Sequence, residues 1–409
     1  MCNIAVVSVH TSPLARPGTR DSGGMNVYIR ELSREMARRA HTMDVFTRRV
    51  HPDTPEVTII DERTRVIQID AGTAAASKVS LRRHLPDFRE GVLAFQQREQ
   101  RRYDLVHSHY WLSGAVGQVL KAEWDVPHVI MFHTLGEAKN RHHLSQREPQ
   151  YRIEGERTLA QSADRVICAS DGEREMLINV YGVAPNRIVT VPCGVDTGRF
   201  RPMGGAAVRR RLGIDAGAPI VLFVGRIEPL KGIDVLLRAA AQLEGRFHLL
   251  VVGGDEKDSA RKGELVALAR QLGIERKVTF LDAVAHADLP LYYNAADICV
   301  VPSYYESFGL VALEAMACGV PVVASGVGGL RDTVRDGQTG YLVPWRCPEP
   351  FAERLDLLLS NEALRRSLGR EGRTTAERFR WSDVAARVED VYHELVSQYR
   401  GVVVGAHVA

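Results

Sequence analysis

The chain has 409 residues, of which 45% are apolar and 25% charged, and its formal net charge is +3. This length exceeds the size at which one hydrophobic core keeps growing, so we expect two domains. The nearly balanced charge favours neither a nucleic acid nor an acidic polymer as partner, and no apolar run in the sequence is long enough to span a bilayer. The six cysteines are widely spaced without a CxxC pair, which predicts reduced core residues in a cytoplasmic protein rather than disulfides or a metal site.

The first elements are predicted to be a strand, a glycine-rich loop and a helix. Residues 3–9 form an almost continuous apolar run, as in a parallel strand that is buried on both faces. Gly23 and Gly24 then precede a helical pattern over residues 25–40. This order suits phosphate binding in principle, although neither G-x-G-x-x-G nor a GK[ST] motif is present. The two glycines form either a ligand loop or only a tight turn.

Strands and helices continue to alternate, which predicts an open parallel sheet with crossover helices. Further strands are expected at residues 44–47, 65–69, 105–107, 129–132, 166–169 and 188–191. Ligands bind beyond the carboxyl ends of such strands, where the sequence places His10, residues 107–110 and residues 133–134. A single histidine is more often structural than catalytic, so one of these positions can still belong to the core.

Residues 192–202 have the composition of a linker, and a second alternation follows. Its strands are predicted at residues 220–224, 247–252, 278–281, 298–301 and 321–324, and the remaining tail is predicted to be helical. Arg226 and Lys231 lie in the glycine-bounded turn after the first of these strands. They form either a surface pair with Glu228 or a cationic clamp on a diphosphate, and we favour the clamp.

The segment around residues 301–321 carries the most chemistry. A buried strand, a loop with Glu306, and a predicted helix over residues 310–318 place Gly309 at a helix N-terminus. Free backbone N–H groups and the helix dipole at such a position can bind an anion. Carboxylates such as Glu306 and Glu314 accept hydrogen bonds only, so beside a phosphate they suit the hydroxyls of a ribose or hexose. The pattern indicates a sugar nucleotide, whereas either glutamate alone would be an ordinary solvated side chain.

Four segments resemble one enzyme family: DSGGMNVY at 21–28, HSHYWLSG at 107–114, GRIEPLKG at 225–232, and the Glu306/Glu314 segment. They resemble the retaining GT-B glycosyltransferases of family four. The resemblance implies two Rossmann-like parallel-sheet domains that face each other across a cleft. Residues 1–195 would bind the acceptor and residues 196–380 the sugar nucleotide, and a helix at about 381–400 can pack on the first domain.

The same resemblance implies roles for individual residues. Catalytic contributions fall on His133, Arg226, Lys231 and Glu306. Contacts to the donor fall on Gly24, Arg226, Lys231, Glu306, Phe308, Gly309, Leu310 and Glu314, with the cations at the diphosphate, Glu314 at the ribose, and Glu306 and His133 at the hexose. Contacts to the acceptor fall on Asn26, Lys78, Tyr110, Thr134 and Arg152, of which Lys78 has the least family-like surroundings.

Within the family, the N-terminal motifs resemble enzymes that glycosylate D-inositol 3-phosphate, while residues 133–139 and 152–156 also resemble sucrose-phosphate synthases, which use fructose 6-phosphate. We therefore expect transfer of N-acetylglucosamine or glucose from a UDP-sugar to a small phosphorylated polyol, best 1D-myo-inositol 3-phosphate. The expected mechanism is same-face attack, in which the departing diphosphate takes the acceptor proton and fixed cations replace a catalytic Mg²⁺. The motifs give no reason to expect a cofactor or stable membrane insertion, and a homodimer is possible.

Three other functions compete with this interpretation. A lipid or polysaccharide acceptor would make Lys78 and Arg152 unimportant. A nicotinamide oxidoreductase would use a similar sheet, but the dinucleotide fingerprint is missing. A non-catalytic protein that binds a sugar nucleotide would keep the Glu306 and Arg226 arrangement without turnover.

Overall fold

The structure, a computed structural model, describes residues 1–15, 18, 22–73, 76, 80–142, 147–214 and 217–406. Two sheets organise these residues, one built from the chain before residue 191 and one from the chain after residue 219. Their central strands are short and buried on both faces, which explains why they read as apolar runs rather than as alternating patterns. The predicted pair of Rossmann-like parallel-sheet domains is confirmed.

The first sheet contains eight strands in the order β3-β4-β2-β1-β5-β6-β7-β8. These are β1 Asn3–Ser8, β2 Thr42–Arg48, β3 Val57–Asp61, β4 Thr64–Ile69, β5 Leu105–His109, β6 His128–Met131, β7 Arg165–Cys168 and β8 Ile188–Thr190. Its helices are α1 Gly24–Arg38, α2 Leu85–Arg98, α3 Trp111–Trp124, α4 Gly136–His142, α5 Gln150–Ser162 and α6 Asp171–Asn179. The order of the strands reverses between β1 and β5, so a crevice opens beyond the carboxyl ends of this central pair.

The second sheet contains six strands in the order β11-β10-β9-β12-β13-β14. These are β9 Ile220–Val224, β10 His248–Val252, β11 Val278–Leu281, β12 Ile298–Val301, β13 Val322–Ser325 and β14 Gly340–Val343. The helices after β8 are α7 Gly205–Leu212, α8 Ile233–Ala240, α9 Ser259–Gln271, α10 Leu289–Ala295, α11 Leu310–Ala317, α12 Leu330–Thr333, α13 Pro348–Ser360, α14 Glu362–Ala376 and α15 Trp381–Ala406. Here the order reverses between β9 and β12, which are followed by the Arg226 turn and the Glu306 loop.

Several elements differ from those predicted from the sequence. The first sheet is not wholly parallel, because β3 pairs antiparallel with β4 at its edge. The strand predicted at residues 105–107 continues to His109, so His107 and His109 lie inside the sheet rather than beyond it. Their rings contact each other at a tilt of 40° with centroids 4.3 Å apart, and His107 Nδ1 is hydrogen-bonded to Tyr392 at 2.6 Å. The strands β3 and β14 and the helices α4, α6, α7, α9, α10 and α12 were not predicted.

The last helix, α15, returns to the first sheet. Glu389 on α15 pairs with Arg39 at 2.8 Å and with the buried ring of His41 at 2.8 Å, next to the end of α1. The aromatic ring of Tyr392 is fully buried beside β5. The C-terminal helix therefore packs on the first lobe, that is, the first sheet with helices α1 to α6, whereas the second lobe is the second sheet with helices α7 to α14. All six cysteines are free, and five of them are buried.

Candidate active site between the two sheets

A cavity of about 460 Å³ lies between the carboxyl ends of the two sheets and is lined by both lobes. The lobes also touch each other at its rim. The backbone N–H of Gly254 donates to the carbonyl of Gly18 at 3.0 Å. The hydroxyls of Thr134 and Ser307 are 3.5 Å apart. The predicted cleft is therefore confirmed, and its two walls lie within hydrogen-bonding distance of each other.

The glycine pair at the start of α1 meets the second lobe directly. A Cβ atom on Gly24 would lie 3.1 Å from Leu310 Cδ1, and one on Gly23 would lie 3.6 Å from Arg226 Nε. Asn26 fixes this loop from behind, since it accepts from the Gly23 N–H at 2.9 Å. Its amide group also donates to the Thr11 hydroxyl and the Ser12 carbonyl at 2.7 and 2.6 Å. Asn26 lines the cavity, but both atoms of its amide group are hydrogen-bonded to the protein and hold the loop in shape.

The helix α11 begins beside this loop, as predicted from the sequence. Gly309 immediately precedes α11 with φ of +96°, in the left-handed region that favours glycine. A side chain there would also meet Leu330 Cδ2 at 2.6 Å. Phe308, Gly309 and Leu310 all line the cavity, so the free N–H groups of the first helical turn adjoin the space where a ligand would lie.

Both predicted cations line the cavity, and each is paired with a carboxylate. Lys231 Nζ lies 2.6 Å from Glu306 Oε2, and both side chains are mostly buried. Arg226 lies 2.8 Å from Glu228, which is the surface pair considered from the sequence, with both side chains about one third exposed. Gly232 has a φ of +65° and allows the Lys231 turn to pack closely on the start of the Glu306 loop. A Cβ at this position would lie only 2.1 Å from the Pro302 carbonyl oxygen. The two motifs thus form one unit, although Lys231 and Glu306 are 75 positions apart in the sequence.

Glu314 lies one turn into α11, and its carboxylate is held at both oxygens. His286 Nε2 lies 2.7 Å from one oxygen, and the Tyr293 hydroxyl donates to the other at 2.8 Å. All three side chains are buried, and Glu314 and His286 line the cavity. The sequence suggested Glu314 but not its two supports, since neither lies in a recognisable motif.

Two histidines are hydrogen-bonded to each other at the cavity wall. His133 follows β6 with φ of +60°, a conformation that is uncommon outside glycine, and lines the cavity. Its Nε2 atom is 2.9 Å from Nδ1 of His109 in β5. Burial lowers the pKa of His133 to about 3, and burial together with the neighbouring His107 lowers the pKa of His109 well below its usual value. Both rings are therefore neutral at pH 7.

The wall formed by the first lobe carries a second group of charges. Arg152 is 2% exposed and pairs with Glu156 at 2.7 Å and with Glu148 at 2.8 Å, and its guanidinium stacks 5.0 Å from the Tyr110 ring centre. Lys139 reaches the same Glu148 at 2.9 Å. Burial alone raises the pKa of the Glu148 carboxyl, but these two cations lower it below its usual value.

The predicted acceptor residues differ in how close they come to the cavity. Tyr110 and Thr134 line it, as do Lys139 and Glu148, whereas Arg152 lies behind Tyr110. Lys78 falls outside the described residues. Lys139 and Glu148 were not predicted as site residues, although Lys139 belongs to residues 133–139, a segment with family resemblance.

Two further features lie away from the cavity. Gly329 donates its N–H to the Glu306 carbonyl at 3.0 Å, so the glycine pair after β13 supports the Glu306 loop rather than lining the cavity. Among the described residues, Cys2, His41 and His393 form a group that could offer three metal ligands. Both ring nitrogens of His41 are already hydrogen-bonded, to the Cys2 N–H and to Glu389, and the group does not line the cleft.

In the part of the chain that the structure describes, no helix is both long and apolar enough to cross a membrane.

Comparisons with known proteins agree with this geometry. Residues 22–199 match Glycosyltransferase Family 4, and residues 206–375 match the family of glycosyl transferases group 1. The chain is 44% identical to a D-inositol 3-phosphate glycosyltransferase from Kineococcus radiotolerans, over 96% of this chain and 95% of the relative. A second protein of that name, from Catenulispora acidiphila, is also 44% identical, over 97% and 96% of the two chains.

Solved structures show the same fold. The sucrose-phosphate synthase of Thermosynechococcus elongatus superposes with a TM-score of 0.91 at 35% identity, covering 97% of this chain and all of the other. The Anabaena protein HepE, solved with UDP and glucose, has a TM-score of 0.77 at 20% identity, with 97% of this chain and all of that chain covered, and supports the fold alone. The cleft, the two sheets and these relatives together show that the chain is a glycosyltransferase of family four with the GT-B fold.

Proposed function

We propose that this glycosyltransferase transfers a hexosyl group from a UDP-sugar to a small phosphorylated polyol, with retention of the anomeric configuration. The observation that carries the proposal is the presence of cations, each paired with a carboxylate, on both sides of one cavity. Arg226, Lys231 and the start of α11 line it on the second lobe, whereas on the first lobe Lys139 lines it and Arg152 lies behind Tyr110. One group suits the donor diphosphate and the other a phosphate on the acceptor.

On the donor side, Arg226 and Lys231 would stabilise the charge that develops on the departing diphosphate. Glu314 would accept hydrogen bonds from the ribose hydroxyls. Glu306, already 2.6 Å from Lys231, would face the hexose hydroxyls together with His133. No step requires a metal ion in this scheme, because fixed cations carry the stabilising charge.

A neutral His133 would favour hydrogen bonding to the donor hexose over proton transfer. In this scheme the acceptor hydroxyl gives its proton to the departing diphosphate on the same face of the sugar. Closure of the lobes around the cavity would exclude water and limit hydrolysis of the donor.

On the acceptor side, Glu148 pairs with both Lys139 and Arg152. A phosphate group offers the same acceptor chemistry as this carboxylate, so it would compete with Glu148 for the two cations. The relatives named D-inositol 3-phosphate glycosyltransferase make 1D-myo-inositol 3-phosphate our first choice of acceptor. Fructose 6-phosphate is the second, because the sucrose-phosphate synthase matches nearly the whole chain at 35% identity.

The test is release of UDP from UDP-N-acetylglucosamine and UDP-glucose. Each donor is offered with inositol 3-phosphate, with fructose 6-phosphate, with unphosphorylated inositol or without an acceptor. We expect turnover with inositol 3-phosphate and an α-linked product by NMR. Turnover with fructose 6-phosphate alone would identify sucrose-phosphate synthesis. Equal rates with inositol and its phosphate would contradict the phosphate site, and failure of every combination would redirect the search to lipid or polysaccharide acceptors.

A further inference from the structure

A chain of hydrogen bonds crosses from the first lobe to the carboxylate of Glu314. Arg30, on α1, approaches His286 Nδ1 with its guanidinium nitrogen at 3.1 Å. On the other side of the ring, His286 Nε2 is 2.7 Å from Glu314. Arg30 and Glu314 belong to different lobes, so this chain of three residues, the Arg30–His286–Glu314 relay, joins the two walls of the cleft.

The chemistry of the outer members fixes the state of the histidine. A guanidinium can only donate, so Nδ1 of His286 must accept from Arg30. A carboxylate can only accept, so Nε2 must carry the hydrogen and donate a hydrogen bond to Glu314. His286 is therefore held as the neutral Nε2–H tautomer and cannot rotate without losing both bonds.

The surroundings of the relay hold its members in place. His286 is 8% exposed, and its ring lies 5.2 Å from the Phe200 ring in the linker between the sheets. Arg30 is also paired with Glu31 at 2.9 Å, and Arg199 of the linker reaches the same carboxylate at 3.9 Å. The relay thus lies beside the segment about which the lobes would move.

We propose that His286 is a positioning residue that couples ribose binding at Glu314 to the placement of α1 on the opposite lobe. The helix α1 starts at Gly24, where an added Cβ would lie 3.1 Å from Leu310 Cδ1 across the cleft, so the helix that carries Arg30 begins at the cavity wall. When the lobes separate, Arg30 withdraws and the orientation of His286 is no longer fixed. Tight binding of the nucleotide then depends on closure.

The proposal rests on the proposed donor site, and calorimetric titration with UDP tests it. His286→Leu removes both hydrogen bonds and should weaken UDP binding about tenfold, the effect of a hydrogen bond to a charged group. His286→Gln keeps one donor and one acceptor and should stay within about threefold of the wild type. Arg30→Met should weaken binding in the same direction, and adding it to His286→Leu should cause little further loss, because the residues act in series.

A modified ligand separates positioning from simple structural damage. UDP that lacks the 2′ and 3′ hydroxyls cannot use Glu314, so its weaker binding should be the same in the wild type and in His286→Leu. The matched control is His248→Leu, which removes a partly buried histidine of the same lobe, hydrogen-bonded to Thr279 at 2.9 Å and outside the cavity lining. It should leave UDP binding unchanged.

Each outcome has one meaning. Equal UDP affinity in the wild type and in His286→Leu would overturn the relay. So would a result in which His286→Leu weakens binding of the dideoxy ligand as much as it weakens binding of UDP. Additive losses in the double variant would show that Arg30 acts independently of His286 and would also overturn it. Failure of the wild type to bind UDP at all would instead overturn the proposed donor, which the wild-type titration alone decides.

Discussion

The Nδ1 atom of His109 lies 2.9 Å from the Nε2 atom of His133, so one of two neutral rings donates to the other at the wall of the cleft. The ring of His107 contacts that of His109 and extends the group toward α15 through Tyr392. This cluster joins the strand end that carries His133 to the C-terminal helix. Its members must stay uncharged for the first lobe to remain packed.

Acid should destabilise the protein through these histidines. Burial, with smaller contributions from the neighbouring His133 and His128, lowers the pKa of His107 to about 3, whereas an unfolded histidine titrates near 6.5. Between about pH 6.5 and 3 the unfolded state therefore binds more protons, and the free energy of unfolding falls as the pH falls. Each such histidine contributes up to ~1.4 kcal/mol per pH unit over that window.

Urea unfolding at pH 7, 6 and 5 measures how steeply the free energy of unfolding falls with pH, and this slope should be smaller in His107→Gln. Parallel pH dependences in the two proteins would contradict this assignment.

Loss of the Lys231 charge should affect turnover far more than folding. Lys231→Ala removes the cation beside Glu306, and we expect kcat/KM to fall by about 30- to 1000-fold, or ~2–4 kcal/mol, as for loss of one preorganised charge contact. Steady-state kinetics measure the loss. The matched control is Lys262→Ala, which breaks another lysine–carboxylate pair of the same lobe, with Asp282 at 2.7 Å, and should leave kcat/KM unchanged. Near-normal kinetics for Lys231→Ala would exclude the diphosphate role.

The close approach of Gly24 to Leu310 should limit side-chain size at the cleft. Gly24→Ala places a methyl group 3.1 Å from Leu310 Cδ1, so the Leu310 side chain at the start of α11 must shift, and we expect kcat/KM to fall about tenfold through misplacement of the reacting groups. When Leu310 is already alanine, Gly24→Ala should cause little further fall in kcat/KM relative to Leu310→Ala alone. Gly263→Ala has open space around the new methyl group and serves as the control. A Gly24→Ala loss that Leu310→Ala does not relieve would mean that the glycine acts in another way.

Arg152 should be required for stability as well as for any contact with the acceptor. Its partner Glu156 is fully buried and also accepts from the Gly136 N–H and the Tyr181 hydroxyl. Arg152→Met leaves that carboxylate without a cation and should lower the free energy of unfolding by about 3–5 kcal/mol, measured by urea denaturation.

Two further variants sharpen the Arg152 test. Arg152→Met combined with Glu156→Gln should lose less stability than Arg152→Met alone, because no buried charge is left unpaired. Arg366→Met, which breaks an exposed pair with Glu362, should change stability by less than about 1 kcal/mol. A double variant as unstable as the single one would show that the charge on Glu156 is not the cause.

The sequence determined the two lobes and the carboxyl-end loops of the central strands. Apolar runs mark strands buried on both faces, and glycine at a helix start marks a position such as Gly309 that needs a positive φ. The occurrence of Glu306 and Glu314 near one site could be predicted because both lie in a single strand–loop–helix unit. Local patterns were sufficient wherever the physical requirement was itself local.

The tertiary structure decided which side chains meet. The contact of Lys231 with Glu306 spans 75 residues, and that of Arg30 with His286 spans 256, so no spacing in the sequence could indicate either. The antiparallel edge strand β3 and the inward placement of His107 depend on neighbours supplied by β4 and α15. A buried polar side chain is stable only beside its partner, and here the fold alone brings that partner near.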